Sequence, residues 1–325
     1  MPMLLALLIP WLLALAPGVG AGAADQTPGL VWRTECVECP QTSFMAADHS
    51  LAVGADGQLF VVYAGDQLMV ARYDGATWQR EALGPAPGID DTYQSNPALA
   101  LDASDTPHIV YPDKDNTALI YARRTISGLQ REVIEGGAGL NFGYDVALAI
   151  DREGKPHVAY ARNGVLVHAV RTVGGWDTQT VDQTGWLGWH LSLALDRQGR
   201  PHISYYDDKR GELRYAGWTG SGWHREIVDN SAWLGEGNSI AVDSLGAPHI
   251  SYLDYTRSKI MYATRTTGGW QTQIVETVRW FGGFTSLALD QADSPHITYA
   301  GPPVGVRYAH WTGAAWQIET VGSAG

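Results

Sequence analysis

Apolar and polar positions alternate in short runs along most of this chain, and the runs return at a fixed interval. In "LSLALDRQGRPHISYYDDKRGELRYAGWTGSGWHREIVD", residues 191–229, the stretches LSLAL, PHISY, ELRYAGW and WHREIVD are rich in β-branched and aromatic types and are separated by turn-forming residues. Brief alternation between such punctuators predicts strands, and no segment sustains a helical period. A near copy occupies residues 239–276. Alignment on D-x-x-G-x-P-H brings Asp102, Asp151, Asp196, Asp243 and Asp290 into register, at spacings of 49, 45, 47 and 47 residues. A diverged sixth copy, "LAVGADGQLFVVY" from Leu51, precedes them with Gly54 at the Asp position and Phe60 at the His position.

A period in this range marks a repeat architecture, and four antiparallel strands per copy of about 47 residues is the pattern of a propeller blade. The expected fold is all-β: a six-bladed β-propeller of four-stranded antiparallel blades over residues 48–325. One strand is left over. "LVWRTECVE" from Leu30 reads like "AAWQIETVG" near the C-terminus, so both chain ends offer the same fourth strand. Residues 25–47 are therefore set apart as an N-terminal strand and candidate ring-closure segment.

Repetition also sorts the conspicuous side chains. Asp196 and Gly199, with counterparts such as Asp151 and Gly154, suit a tight turn in which Asp bonds backbone amides and Gly takes positive φ. His108, His157, His202, His249 and His296 recur once per copy, as packing residues do. Spread around a ring they cannot converge on one metal, and each should hold a hydrogen-bond partner. Trp78, Trp176, Trp223, Trp270 and Trp316 open fourth strands, where Leu129 stands in the second copy; they are expected to pack blade against blade.

The chain begins with an apolar run from Met3 to Ala16 followed by an A-x-A site at Ala21-Gly22-Ala23, which predicts a signal peptide over residues 1–24. Its leading residues lack Lys and Arg, so an uncleaved anchor is the alternative. No later stretch approaches the ~20 apolar residues of a membrane span. The expectation is a secreted or extracytoplasmic monomer. A net charge of −12 with scattered carboxylates argues against nucleic acid as a partner. The two cysteines, Cys36 and Cys39, lack the further ligands of a zinc site and the βαβ context of a redox motif, so a local disulfide is expected. Neither cofactor nor metal is expected.

The pattern "SLALDxxGxPHISYYD" resembles the BNR-like repeat proteins of the sialidase superfamily, and "YDGATW" at Tyr73 to Trp78 is a shortened echo of that superfamily's Asp-box. The resemblance spans almost the whole mature chain and implies a secreted propeller. Sialidases add an arginine triad, a tyrosine nucleophile activated by Glu and an Arg-Ile-Pro motif; no Arg-Ile-Pro occurs here.

A single site requires positions that differ between copies. Just before the first strands stand Asp48, Asn96, Asp145, His190, Gly237 and Phe284, and two residues past the PHISY tyrosine stand Gly65, Asp113, Arg162, Asp207, Asp254 and Gly301. Both sets fall on the face formed by the fourth-to-first and second-to-third connections. Asp113, Arg162 and Asp254 are the candidate ligand-binding residues there, with Trp189, Trp233 and Trp280 as an apolar wall suited to a sugar face. Asp145, His190 and Asp207 are the candidates for catalysis, with Asp145–Asp113 and Asp207–Asp254 as carboxylate pairs. Because no catalytic motif is intact, the expected function is a binding or scaffolding propeller for a glycan or cell-surface polymer. The alternative is a glycoside hydrolase or lyase using top-face carboxylates.

Overall fold

Asp196 shows how each blade begins. Its Oδ1 accepts the backbone N–H of Gln198 and of Arg200, both at 2.9 Å, and closes the reversal between first and second strands. Asp102, Asp151, Asp243 and Asp290 repeat the arrangement. The fourth residue of the turn is left-handed, and Gly154, Gly199 and Gly246 supply it freely. Asp105 and Asp293 hold the same conformation at φ 57° and 60°, and their carboxylates accept the N–H of Ala55 and Ser244 in the preceding blade.

The structure, a computed structural model, describes residues 49–323 apart from 65–66, 86–96, 114–116, 126, 232, 279–282 and 302–304. Six four-stranded antiparallel sheets follow one another, each in the order of the chain. The expected six-bladed propeller is the observed fold. The first strands, His49–Val53, Ala98–Leu101, Phe142–Ile150, Leu187–Leu195, Leu234–Val242 and Thr285–Leu289, lie innermost, and consecutive ones abut. Burial is greatest on the second strands: Pro201–Asp207 and Pro248–Asp254 are buried along their whole length, covered on both faces by neighbouring blades. The fourth strand Trp223–Asp229 is mostly exposed or half-buried. Cys36, Cys39, the leader and the spare strand at Leu30 lie outside the described residues.

Five apolar clusters join successive blades, for instance Leu213, Val228, Ile240, Ile250 and Tyr252 between the fourth and fifth. Directional contacts sharpen each joint. The fourth-strand tryptophan meets the preceding blade's third-strand ring edge-on, as Trp176 does Tyr121 at 5.2 Å and Trp270 does Tyr215 at 5.3 Å. The PHISY tyrosine donates to a carboxylate of the preceding fourth strand: Tyr160 to Glu135 (2.6 Å), Tyr205 to Asp182 (2.8 Å), Tyr252 to Asp229 (2.8 Å) and Tyr299 to Glu276 (2.6 Å).

The repeated histidines are held as the repetition implied. Nδ1 of His108 and of His202 lies 2.6 and 2.7 Å from Tyr121 and Tyr215, and His249 and His296 pair likewise with Tyr262 and Tyr308. Nε2 faces the turn aspartate at 3.3 to 3.6 Å. Burial lowers the pKa of His108, His157, His202 and His249, so these rings are neutral structural links.

Candidate functional site

The repeat breaks where the fourth blade's inner strand enters. Leu187 pairs with Asp207 and Leu191 with Tyr205, so three residues on one side face a single one on the other and the strand bulges. The bulge carries His190 in the left-handed region, at φ 50°. Bulges re-aim side chains, and a strained non-glycine residue marks a place to examine. The carboxylate of Asp145, on the third blade's inner strand, accepts the backbone N–H of His190 at 2.5 Å and lies 3.7 Å from its Nδ1. From the fifth blade, Glu236 brings an oxygen to 4.0 Å from Nε2, and Asn238 Nδ2 donates to the His190 carbonyl at 2.5 Å.

Aromatic rings surround this contact. Phe284 meets His190 edge-on at 5.3 Å, with Tyr206 at 6.4 Å and Trp189 at 6.5 Å. Tyr206 is 2% exposed, and its hydroxyl has no hydrogen-bond partner among the described residues. Burial raises its pKa, with Glu236 next among the causes. An unpaired buried hydroxyl costs about 1–3 kcal/mol and is a feature to explain rather than discount. Glu236 is half-buried; desolvation raises its pKa, His190 opposes the shift and Asp208 adds to it. The Trp233 and Tyr255 side chains lie beside its carboxylate and oppose the rise. Phe284, Trp233 and Tyr255 are exposed, at 53%, 50% and 39%.

The residues singled out from the sequence fall into two groups. Asp145, His190, Trp189 and Trp233 come together here. Asp113, Asp207 and Asp254 close second-to-third strand turns. Asp113 accepts the N–H of Thr117 and Ala118; Asp207 is fully buried and bound to Arg210 at 2.7 Å; Asp254 is bound to Arg257 at 3.2 Å. Asp207 and Asp254 thus occupy equivalent turns of successive blades, each with its own guanidinium. Arg162 pairs with Glu135 across the joint between second and third blades. Trp280, Asp48, Asn96 and Gly65 lie outside the described residues. Tyr206, Glu236 and Asn238 are not among the candidates that the sequence offers. Tyr206 was legible, since its counterparts are Ala64, Pro112, Ala161, Leu253 and Ala300. Glu236 stands one place before the ring position Gly237.

On the opposite face, a cavity of about 350 Å³ lies among the turns, lined by Asp151, Arg152, Asp196, Arg197, Asp243 and Asp290 among others. Its aspartates are already engaged: for Asp196, burial raises the pKa, but the Arg200 backbone and side chain outweigh it and the net shift is downward. Among the described residues, no group of three or more His, Cys, Asp or Glu side chains is placed to hold a metal.

No family model and no curated protein matches this chain. Solved structures do. The AofleA structure from Arthrobotrys oligospora is 13% identical, with 86% of each chain covered and a TM-score of 0.59. The fucose-specific lectin from Aleuria aurantia is 15% identical over 84% of this chain and 94% of the lectin, at 0.58. A protein from Lactobacillus plantarum is 11% identical over 85% and 84%, at 0.55. At these identities the likeness shows a shared fold.

Proposed function

We propose that this chain is an exported, non-catalytic glycan-binding propeller with its site at the mouth formed by Asp145, His190, Tyr206 and Glu236. The observation that carries the reading is the Tyr206 hydroxyl, buried, unpartnered and set beside exposed rings. A pyranose presents hydroxyls in its plane and C–H groups on its faces, and this mouth offers polar groups beside aromatic faces. Structures of like fold include an Aleuria aurantia lectin mutant in complex with Fucα1-6GlcNAc and the same lectin's complex with α-methyl-L-fucoside. They support sugar as the ligand class; fucose specificity is not carried across 14% identity. Export through residues 1–24, a monomeric state and kinship with the BNR-like proteins belong to the same reading. What supports the kinship is the Asp-box echo itself, in which Asp74 closes the turn by accepting the N–H of Ala76 and Thr77.

A glycan array tests the proposal: binding to at least one oligosaccharide class, reduced tenfold or more by Tyr206→Phe or His190→Ala, is expected. Binding that ignores both substitutions, or none across the array, would overturn it. One observation favours a second reading as a glycoside hydrolase or lyase: burial raises the pKa of Glu236, as a general acid needs. Turnover lost in Glu236→Gln or Asp145→Asn would establish that reading instead.

A further inference from the structure

The carboxylates around the mouth are treated unlike those elsewhere. At the blade joints Glu132, Glu135, Glu226, Glu276 and Asp182 each hold an arginine, as Asp207 and Asp254 do in their turns. Glu236 has none. Among the described residues its charged neighbours are His190, 4.0 Å away, and Asp208, of its own sign. Asp145 is 8% exposed and faces the other side of the same imidazole. A half-buried carboxylate without a cation is costly, and a ligand bringing a cation would remove that cost. The surroundings suit one. Phe284, Trp233 and Tyr255 present rings with π-faces, and the Tyr206 oxygen is free to accept a proton donor.

We propose that the mouth takes an ammonium-bearing sugar, a hexosamine with a free amine, with Glu236 as counter-ion and Phe284 and Trp233 beside the cation and the pyranose. This rests on the glycan-binding reading above. The free Tyr206 oxygen accepts an N–H of the ammonium, and Asp145 adds long-range attraction while retaining the His190 backbone N–H. Among the described residues, His190 is the one basic side chain in the cluster. An acidic sugar would meet Glu236, Asp145 and Asp208 and is excluded by like charge.

The test is calorimetric titration of the full mature chain, in 0.15 M salt, with one β1,4-linked glucosamine trisaccharide in free-amine, N-trimethylated and N-acetylated forms. The expected result is one site per chain, with both cationic forms at least tenfold tighter than the acetylated one. Glu236→Gln should bring the three within about threefold. Phe284→Leu, at an exposed position that spares the fold, should weaken the cationic forms more than the acetylated one. Acetylated sugar binding as tightly as the cationic forms, or discrimination that survives Glu236→Gln in a folded variant, would overturn the assignment. If none of the three binds while a neutral glycan binds through His190, the ammonium assignment falls and the glycan-binding reading stands. If no glycan binds at all, both fall.

Discussion

His168 stands in the third blade where the second, fourth, fifth and sixth carry Tyr121, Tyr215, Tyr262 and Tyr308, so His157 Nδ1 meets a second imidazole at 3.1 Å. Burial, then the neighbouring His157, drives the His168 pKa down to about 3. The folded value lies below the ordinary 6.5, so this group's contribution to stability is complete above about pH 6.5 and is lost as pH falls toward 3. His108, His157, His202 and His249 act with the same sign. Melting temperature should therefore fall on acidification from pH 7 to pH 4. His168→Tyr, which restores the partner used in the other blades, should flatten that fall and add about 1 kcal/mol at pH 7. An acid limb as steep in the variant would show that the imidazole pair is not its source. At the mouth, φ 50° at His190 suits glycine, so His190→Gly should leave the melting temperature unchanged or raise stability by about 1 kcal/mol while glycan binding falls. A loss of more than 1 kcal/mol would mean that the imidazole itself holds the bulge. The turn aspartates and histidines were readable from the sequence because they repeat. Tyr206 is equally marked by not repeating, but it follows directly on the PHISY tyrosine and reads as more of the same packing.

The strand-to-strand joints carry their own test. Tyr252→Phe deletes the hydroxyl that donates to Asp229 at 2.8 Å and leaves that carboxylate short of a donor inside the joint between fourth and fifth blades. A loss of about 1–3 kcal/mol in chemical denaturation is expected. Trp270 packs edge-on against Tyr215 and donates its indole N–H to Glu226 at 2.8 Å; Arg265 first, then His224 and Trp270, outweigh burial and hold the Glu226 pKa to about 2. Trp270→Leu copies the residue found at Leu129 and should cost about 1–3 kcal/mol, whereas a change under 0.5 kcal/mol would show that the joint needs only apolar bulk. The strands and D-x-x-G turns could be read along the chain because each is local and periodic. The entry bulges between Leu187 and Leu191, and between Glu236 and Ser239, could not: they change pairing and leave the apolar pattern unmarked. The proposed carboxylate pairs went astray for a related reason. Sequence places Asp207 and Asp254 at like positions, but not the Arg210 and Arg257 side chains that fold back onto them.

In the whole molecule, the two faces of the ring divide the polar groups between them. On the turn face the second to sixth blades repeat a closed set of hydrogen bonds, so the carboxylates around the 350 Å³ cavity are already engaged. On the other face, the third, fourth, fifth and sixth blades contribute Asp145, His190 with Tyr206, Glu236 and Phe284, and no repeat dictates any of them. The ring could be counted from the sequence because its strands and turns recur at a fixed period; the composition of the mouth needed the fold, since its residues are up to 139 positions apart, from Asp145 to Phe284. Sugar binding at one off-symmetry mouth is measured most directly by a crystal structure of the chain with the tightest array ligand. The expected result is a saccharide within hydrogen-bond reach of Tyr206 Oη and the Glu236 carboxylate, lying against Phe284 or Trp233. A saccharide bound in the turn-face cavity beside Asp151 and Asp243, or in the joints between blades, with the mouth unaltered, would contradict it.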